Sequence, residues 1–159
     1  MLTTILLVGE GKTEFVFLSH LKSLYIQRNC GIKLTIRNAR GKGPEHIVDF
    51  AVRQRYNAAY DRVAVLLDTD LAWPDATKKK ARKNKLTLLG STPCIEGFLL
   101  DILAQYVPPE TPACKQRCTD IIAGSLLEQE SFQTQFTQEL LEARRSDIAI
   151  LDELLKYFE

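Results

Sequence analysis

Three carboxylates stand where short apolar runs give way to polar residues. Glu10 lies in Gly9-Glu10-Gly11-Lys12-Thr13-Glu14, directly after the apolar run Thr3 to Val8, and Asp68 and Asp70 follow the run Arg62 to Leu67. Mg2+ takes oxygen ligands, commonly one or two carboxylates together with substrate phosphates. Residues two apart in an extended segment point the same way, so Asp68 and Asp70 are expected to share one side. Like charges held together are costly unless a cation lies between them. The glycines around Glu10 let the chain turn sharply and a ligand come close, and Lys12 at a helix start favours a phosphate nearby. An acid beside a phosphate-friendly loop calls for a bridging cation, so Glu10, Asp68 and Asp70 together read as a site for Mg2+ or Mn2+. Each residue alone has a plainer reading: Glu10 as an acid at a helix start, the aspartates as solvated turn residues at a strand end.

A phosphate-binding P-loop is the competing reading of the same turn, because Gly11-Lys12-Thr13 matches the end of G-x-x-x-x-G-K-[ST]. The match fails at its first glycine, where Leu6 sits inside the apolar run, and the loop is too short to wrap a phosphate.

The elements that must position these residues alternate. Thr3 to Val8 suits a strand buried on both faces of a parallel sheet, and Phe15, Leu18, Leu21 and Tyr25 recur at helical spacing from Thr13 to about Arg28, with Glu14 in the first turn. Ile32 to Arg37 alternates as a second strand. Gly41 to Pro44 is a loop, and Pro44 opens a helix running from Glu45 to about Tyr60. Arg62 to Leu67 is again a buried-strand pattern, Lys78 to Lys85 a surface helix, and Leu86 to Leu89 a short fourth strand. Residues 95–106 form a helix with a broad apolar face. Strand and helix in alternation imply a Rossmann-like three-layer α/β fold with about four mainly parallel strands. Its strands' carboxyl ends are where ligands bind in open α/β sheets. After a break at Val107 to Pro112, Thr119 to Leu127, Phe132 to Arg145 and Ser146 to Phe158 read as C-terminal helices, the last capped by Ser146. Residues 1–106 are thus expected to form the α/β body, and 107–159 a helical extension packed on it.

With 159 residues and 45% hydrophobic content, the chain can bury one core without staples. Cys30, Cys94, Cys114 and Cys118 have no disulfide framework, and Cys114-x3-Cys118 has the wrong spacing for a zinc knuckle. The opening MLTTILLVGEGKTE is neither a signal peptide nor a membrane span, so a cytoplasmic protein with reduced thiols is expected. His20 and His46 have no catalytic spacing to Cys94 or to a serine, which speaks against a nucleophilic triad. The net charge of +1 hides an asymmetry. Residues 1–103 hold 16 Lys/Arg against 10 Asp/Glu, a surplus of +6, whereas residues 104–159 hold 5 against 10, or −5. A basic body suits a polyanion such as DNA or RNA.

Taken together, Glu10-Gly11-Lys12-Thr13-Glu14, Leu67-Asp68-Thr69-Asp70 and Thr92-Pro93-Cys94-Ile95-Glu96 before Phe98-Leu99-Leu100 resemble the ordered motifs of the TOPRIM fold. That fold is shared by topoisomerases, primases and nucleases of the overcoming-lysogenization-defect type. The chain looks most like the RloB-like branch over roughly residues 1–106, departing from its usual third motif at Thr92 and Ile95. The resemblance implies Glu10 as general acid or base near the scissile phosphate, Asp68 and Asp70 as metal ligands and Glu96 as an accessory acid, so that Glu10, Asp68, Asp70 and Glu96 form the expected metal set. Glu96 reads equally as a helix-start residue. Lys12 or Arg40 would offset phosphate charge, and the implied activity is metal-dependent phosphodiester chemistry in bacterial or phage defence. The alternative is a non-catalytic module that binds nucleotide, nucleic acid or a partner protein, with the acidic helices as its interaction surface.

Lys78, Lys79, Lys80, Arg82, Lys83 and Lys85 put six cations within eight positions, and Arg40 and Lys42 flank Gly41 at the sheet end of the carboxylates. Such residues neutralise phosphates, although the lysine run reads equally as a solvated helix. Trp73 is a base-stacking or a packing residue.

Overall fold

Aliphatic and β-branched runs bounded by glycine or charge become strands, and a helix follows each. In the computed structural model, which describes residues 2–159, the order is β1 (Thr3–Gly9), α1 (Lys12–Tyr25), β2 (Ile32–Asn38), α2 (Gly43–Asn57), β3 (Arg62–Asp68), α3 (Asp75–Lys83), β4 (Leu86–Ser91) and α4 (Ile95–Ile102). All strand pairs are parallel, in the order β2-β1-β3-β4. This is the Rossmann-like α/β arrangement expected from the alternation.

Side chains alternate between the two faces of the sheet. Ile5 and Leu7 of β1, with Ala64 and Leu66 of β3, bury themselves against α1, α4 and the C-terminal helices. Leu6 and Val8, with Val63, Val65 and Leu67, face α2 and α3. A strand covered on both sides has no solvent face, hence the near-continuous apolar runs. The parallel register brings Gly9 level with Asn38 and Leu66, and Asp68 level with Ser91. All four carboxyl ends therefore open on one edge.

Beyond α4 come α5 (Thr111–Ile121), α6 (Glu130–Gln133), α7 (Gln138–Arg144), α8 (Ala149–Leu155) and a 3-10 turn at Lys156–Phe158. They close over the α1 face of the sheet. Phe17 packs edge-on against Phe98 with ring centroids 5.8 Å apart, and against Phe132 at 5.7 Å. His20 holds the same joint, its Nε2 lying 2.7 Å from the Phe136 carbonyl.

Several boundaries differ from those expected. The segment 107–112 does not end in a break, because Pro112 occupies the first turn of α5, where a missing N–H costs nothing. Phe132 to Arg145 is not one helix: the Thr137 hydroxyl accepts from the Leu140 N–H and starts α7 afresh. Ser146 does not cap α8, whose N-cap position is Ile148. The helices α1 and α4 stop at Tyr25 and Ile102, short of Arg28 and of residue 106. All four cysteines are free thiols, and no helix among the described residues is long and apolar enough to cross a membrane.

Candidate metal centre

The turn after β1 delivers Glu10 to the gap between β1 and β3. Its backbone N–H still donates to the Leu66 carbonyl at 3.1 Å, continuing the ladder, and its side-chain Oε1 accepts from the Asp68 N–H at 3.0 Å. The side chain thus extends the strand pairing one step past the last backbone bond. Asp68, the last residue of β3, is fixed in the same way. Its Oδ1 accepts from the Ile95 N–H at 3.0 Å, satisfying a donor at the start of α4 that no cap side chain serves. One oxygen of each carboxylate is therefore held by a backbone amide, and the other has no protein donor among the described residues.

Glu14 completes the group. Ligand oxygens of Glu10, Glu14 and Asp68 all lie within 4.8 Å of one another. Glu14 is 4% exposed, in the first turn of α1. Gly9 makes room for it: a Cβ built at Gly9 would sit 2.8 Å from the Glu14 Cβ, a separation real Cβ atoms do not reach. This close approach, not a left-handed turn, is why glycine precedes Glu10, for neither Gly9 nor Gly11 has a positive φ.

The charges of the three acids are not balanced by any side-chain cation, since none of them enters an ion pair among the described residues. Burial pushes the Glu14 carboxyl up to about 7, and the charges of Glu10 and Glu96 add to the effect. Asp68 is raised as well, first by burial and then by the charges of Glu10, Glu14 and Asp70. Close acids in a poorly solvated site either retain protons or take a cation. Two oxygens bound to one Mg2+ at about 2.1 Å lie at most ~4.2 Å apart, so a small contraction of the cluster seats the ion. The donor set, all hard oxygen, fits a divalent cation.

Asp70 and Glu96, expected among the ligands, lie outside this group. The strand ends at Asp68, and the N–H groups of Thr69 and Asp70 both turn to the Pro93 carbonyl, at 3.1 and 2.9 Å. Period-two alternation therefore stops before Asp70, whose exposed carboxylate accepts from the Thr111 hydroxyl at 2.8 Å. Glu96 is buried in the first turn of α4 and lines a separate cavity of about 350 Å3 with Lys115, Cys118 and Thr119.

With the fold and the cluster in place, the family model described as RloB-like protein matches residues 5–150. The chain belongs to the RloB-like family. No curated protein and no solved structure matches it.

The cations expected at a nucleic-acid surface of this RloB-like chain divide between the two edges of the sheet. Lys12, Arg40 and Lys42 line one groove of about 940 Å3 at the β2 edge, together with Arg37 and His46. Phe15 and Phe50 supply its aromatic walls. The Gly41 N–H donates to the Glu10 carbonyl at 2.6 Å, tying the loop that carries Arg40 and Lys42 to the acidic turn. Lys78, Lys79 and Arg82 are exposed on α3, which leads into β4 at the opposite edge, so they do not join that groove. Lys80 pairs with Asp49 of α2. Trp73 is a packing residue. Its Nε1 donates to the Asp68 carbonyl at 2.9 Å, and its ring lies where a Cβ at Gly90 would stand. Cys94, Cys114 and Cys118 are buried beside α4 and α5, and they form no candidate metal cluster among the described residues. Of the candidate site, the sequence reading omits Glu14 from the acidic cluster and Arg37, His46, Phe15 and Phe50 as groove walls.

Proposed function

We propose that Glu10, Glu14 and Asp68 hold Mg2+ or Mn2+ in a TOPRIM-type centre, and that the chain cleaves phosphodiester bonds of DNA or RNA. The observation that carries this reading is the convergence of three carboxylates, without a compensating cation, beside a groove whose charged walls are all basic. A bound divalent ion would polarise a phosphate and stabilise the charge that develops on it. Glu10 is anchored through one oxygen and offers the other to accept a proton from the attacking water, as general base. Asp68, fixed by the Ile95 N–H, holds the ion between β3 and α4, and Glu14 closes the set from α1. Lys12, exposed two residues after Glu10, offsets phosphate charge at the mouth of the groove. A role in bacterial or phage defence, inside the cytoplasm, follows from the same reading.

The test is incubation of pure protein with plasmid and single-stranded substrates in Mg2+ or Mn2+, beside Glu10→Ala and Asp68→Ala. Cleavage by the wild type that both substitutions abolish is the expected result. Activity that survives both, or none with either metal, refutes the catalytic reading. Metal-independent binding without cleavage would leave a nucleic-acid-binding module.

A further inference from the structure

The groove at the β2 edge is the larger of two basic concavities: a hollow of about 530 Å3 beside α3 holds Lys79, Lys83 and Tyr56 with Lys80, which Asp49 already pairs, whereas the groove of about 940 Å3 holds four cations and two phenylalanines. Among the described residues, none of its four cations, Lys12, Arg37, Arg40 and Lys42, forms an ion pair. No acid lines the groove. Four uncompensated cations around one concavity repel each other and are relieved by a polyanion. The aromatic walls come from opposite faces of the sheet. Phe15 leans on the core beneath α1 and Phe50 on the core beneath α2, and each half-buried ring turns its remaining surface toward the groove.

We propose that this groove binds a single strand of nucleic acid, its phosphates on Lys12, Arg37, Arg40 and Lys42 and its bases stacked on Phe50 and Phe15. The inference rests on the phosphodiester reading above and names its substrate class. A duplex presents phosphates and sugars to a protein surface while its bases stay paired and stacked inside. Two rings set in a concave basic groove have no partner there. In a single strand the base faces are free, and stacking on aromatic side chains holds any sequence. The Gly41 to Glu10 hydrogen bond makes the groove and the acidic turn one structural unit, so a strand seated on the loop runs toward the carboxylates.

The test is fluorescence anisotropy in EDTA with single-stranded DNA, single-stranded RNA and duplex of about 12 nucleotides. Single strands should bind in preference to duplex, with log K falling against log[salt] at a slope of about −3 for four phosphate contacts. Arg37→Ala should weaken binding and reduce that slope by about 0.7. Phe50→Leu, which keeps the packing volume, should weaken binding about tenfold at unchanged slope, and Phe50→Tyr should restore it. Phe15→Leu reads the second wall independently, and thermal melts of every variant report the fold. Duplex bound as tightly as single strand, a mononucleotide bound as tightly as the strand, or Phe50→Leu and Phe15→Leu both binding like wild type overturns the proposal. Strand binding in EDTA without cleavage in Mg2+ or Mn2+ leaves this inference standing and removes the chemistry. Cleavage without strand binding does the reverse.

Discussion

Substituting Glu14→Gln should stabilise the metal-free protein at pH 8 and abolish its stabilisation by metal. The Glu14 carboxyl is pushed from 4.5 to about 7, first by burial, then by the charges of Glu10 and Glu96. Each pKa unit corresponds to about 1.36 kcal/mol, so ionising Glu14 in the folded state costs about 3 kcal/mol above pH 7. The sign follows from proton counting. Between about pH 4.5 and 7 the folded state holds the proton more tightly than the unfolded chain, so stability falls as pH rises through that window. Asp68, also raised, contributes in the same direction. His20, lowered by burial, contributes in the opposite one, losing stability as pH falls through the ordinary histidine range. The difference between wild type and Glu14→Gln cancels the His20 contribution. Differential scanning fluorimetry in EDTA across pH 5 to 8 should show the variant gaining about 6–12 °C in Tm over the wild type at the alkaline end. Mg2+ or Mn2+ at a hundredfold excess over Kd should return about 2.7 kcal/mol to the wild type and little to the variant. A wild-type Tm that does not fall relative to the variant, or a variant stabilised by metal as strongly as wild type, refutes the assignment of Glu14 to the site.

Asp68→Asn should remove metal binding measured by isothermal titration calorimetry. Asp70→Asn, altering an exposed group bonded to Thr111, should keep most of it. Gly90→Ala should cost about 1–3 kcal/mol, because the new Cβ would stand 2.8 Å from Thr69 Cγ2 and 2.9 Å from the Trp73 ring. Displacement of Trp73 would appear as a red shift of its emission, alongside a lower Tm. Phe17→Ala empties the joint between α1, α4 and α6, and should lower stability by about 3–5 kcal/mol in urea titrations at unchanged m.

The central strands β1 and β3 were legible because burial on both faces writes itself as uninterrupted aliphatic sequence, the edge strand β2 because its residues alternate and β4 as a short apolar run; the alternation with helices then restricted the sheet to parallel pairing. The C-terminal helices were read less well. Their lengths depend on where Thr137 and Pro112 sit in a turn, and an amphipathic pattern alone does not say where a cap side chain closes on the backbone. In the candidate cluster, Glu10 and Asp68 were legible from their place at strand ends. Asp70 falls outside the cluster because the period of two holds only inside a strand, and the Pro93 carbonyl takes both amides just past its end. The signal for Glu14 was present. Glu14, Phe17, Leu18 and Leu21 fall at i, i+3, i+4 and i+7, so an acid occupies a core-phase position on α1, where all four are buried. A carboxylate there must be protonated, paired or metal-bound.

The hydrogen bonds that aim the carboxylates are also bonds of the fold. The Asp68 amide bound to Glu10 joins β1 to β3, and the Ile95 amide bound to Asp68 anchors the start of α4. Removing the Asp68 carboxylate therefore has two opposing effects: α4 loses a partner for a donor at its N-terminus, and the cluster sheds a repelling charge. Asparagine keeps an acceptor for the Ile95 N–H and isolates the second effect, whereas alanine combines both. If the cluster is held by its backbone bonds as described, Asp68→Ala should melt below Asp68→Asn in EDTA at pH 8, by about the 1–3 kcal/mol of an unsatisfied donor. Equal melting of the two would mean that the α4 start does not depend on Asp68, and that the orientation of the carboxylate comes from elsewhere.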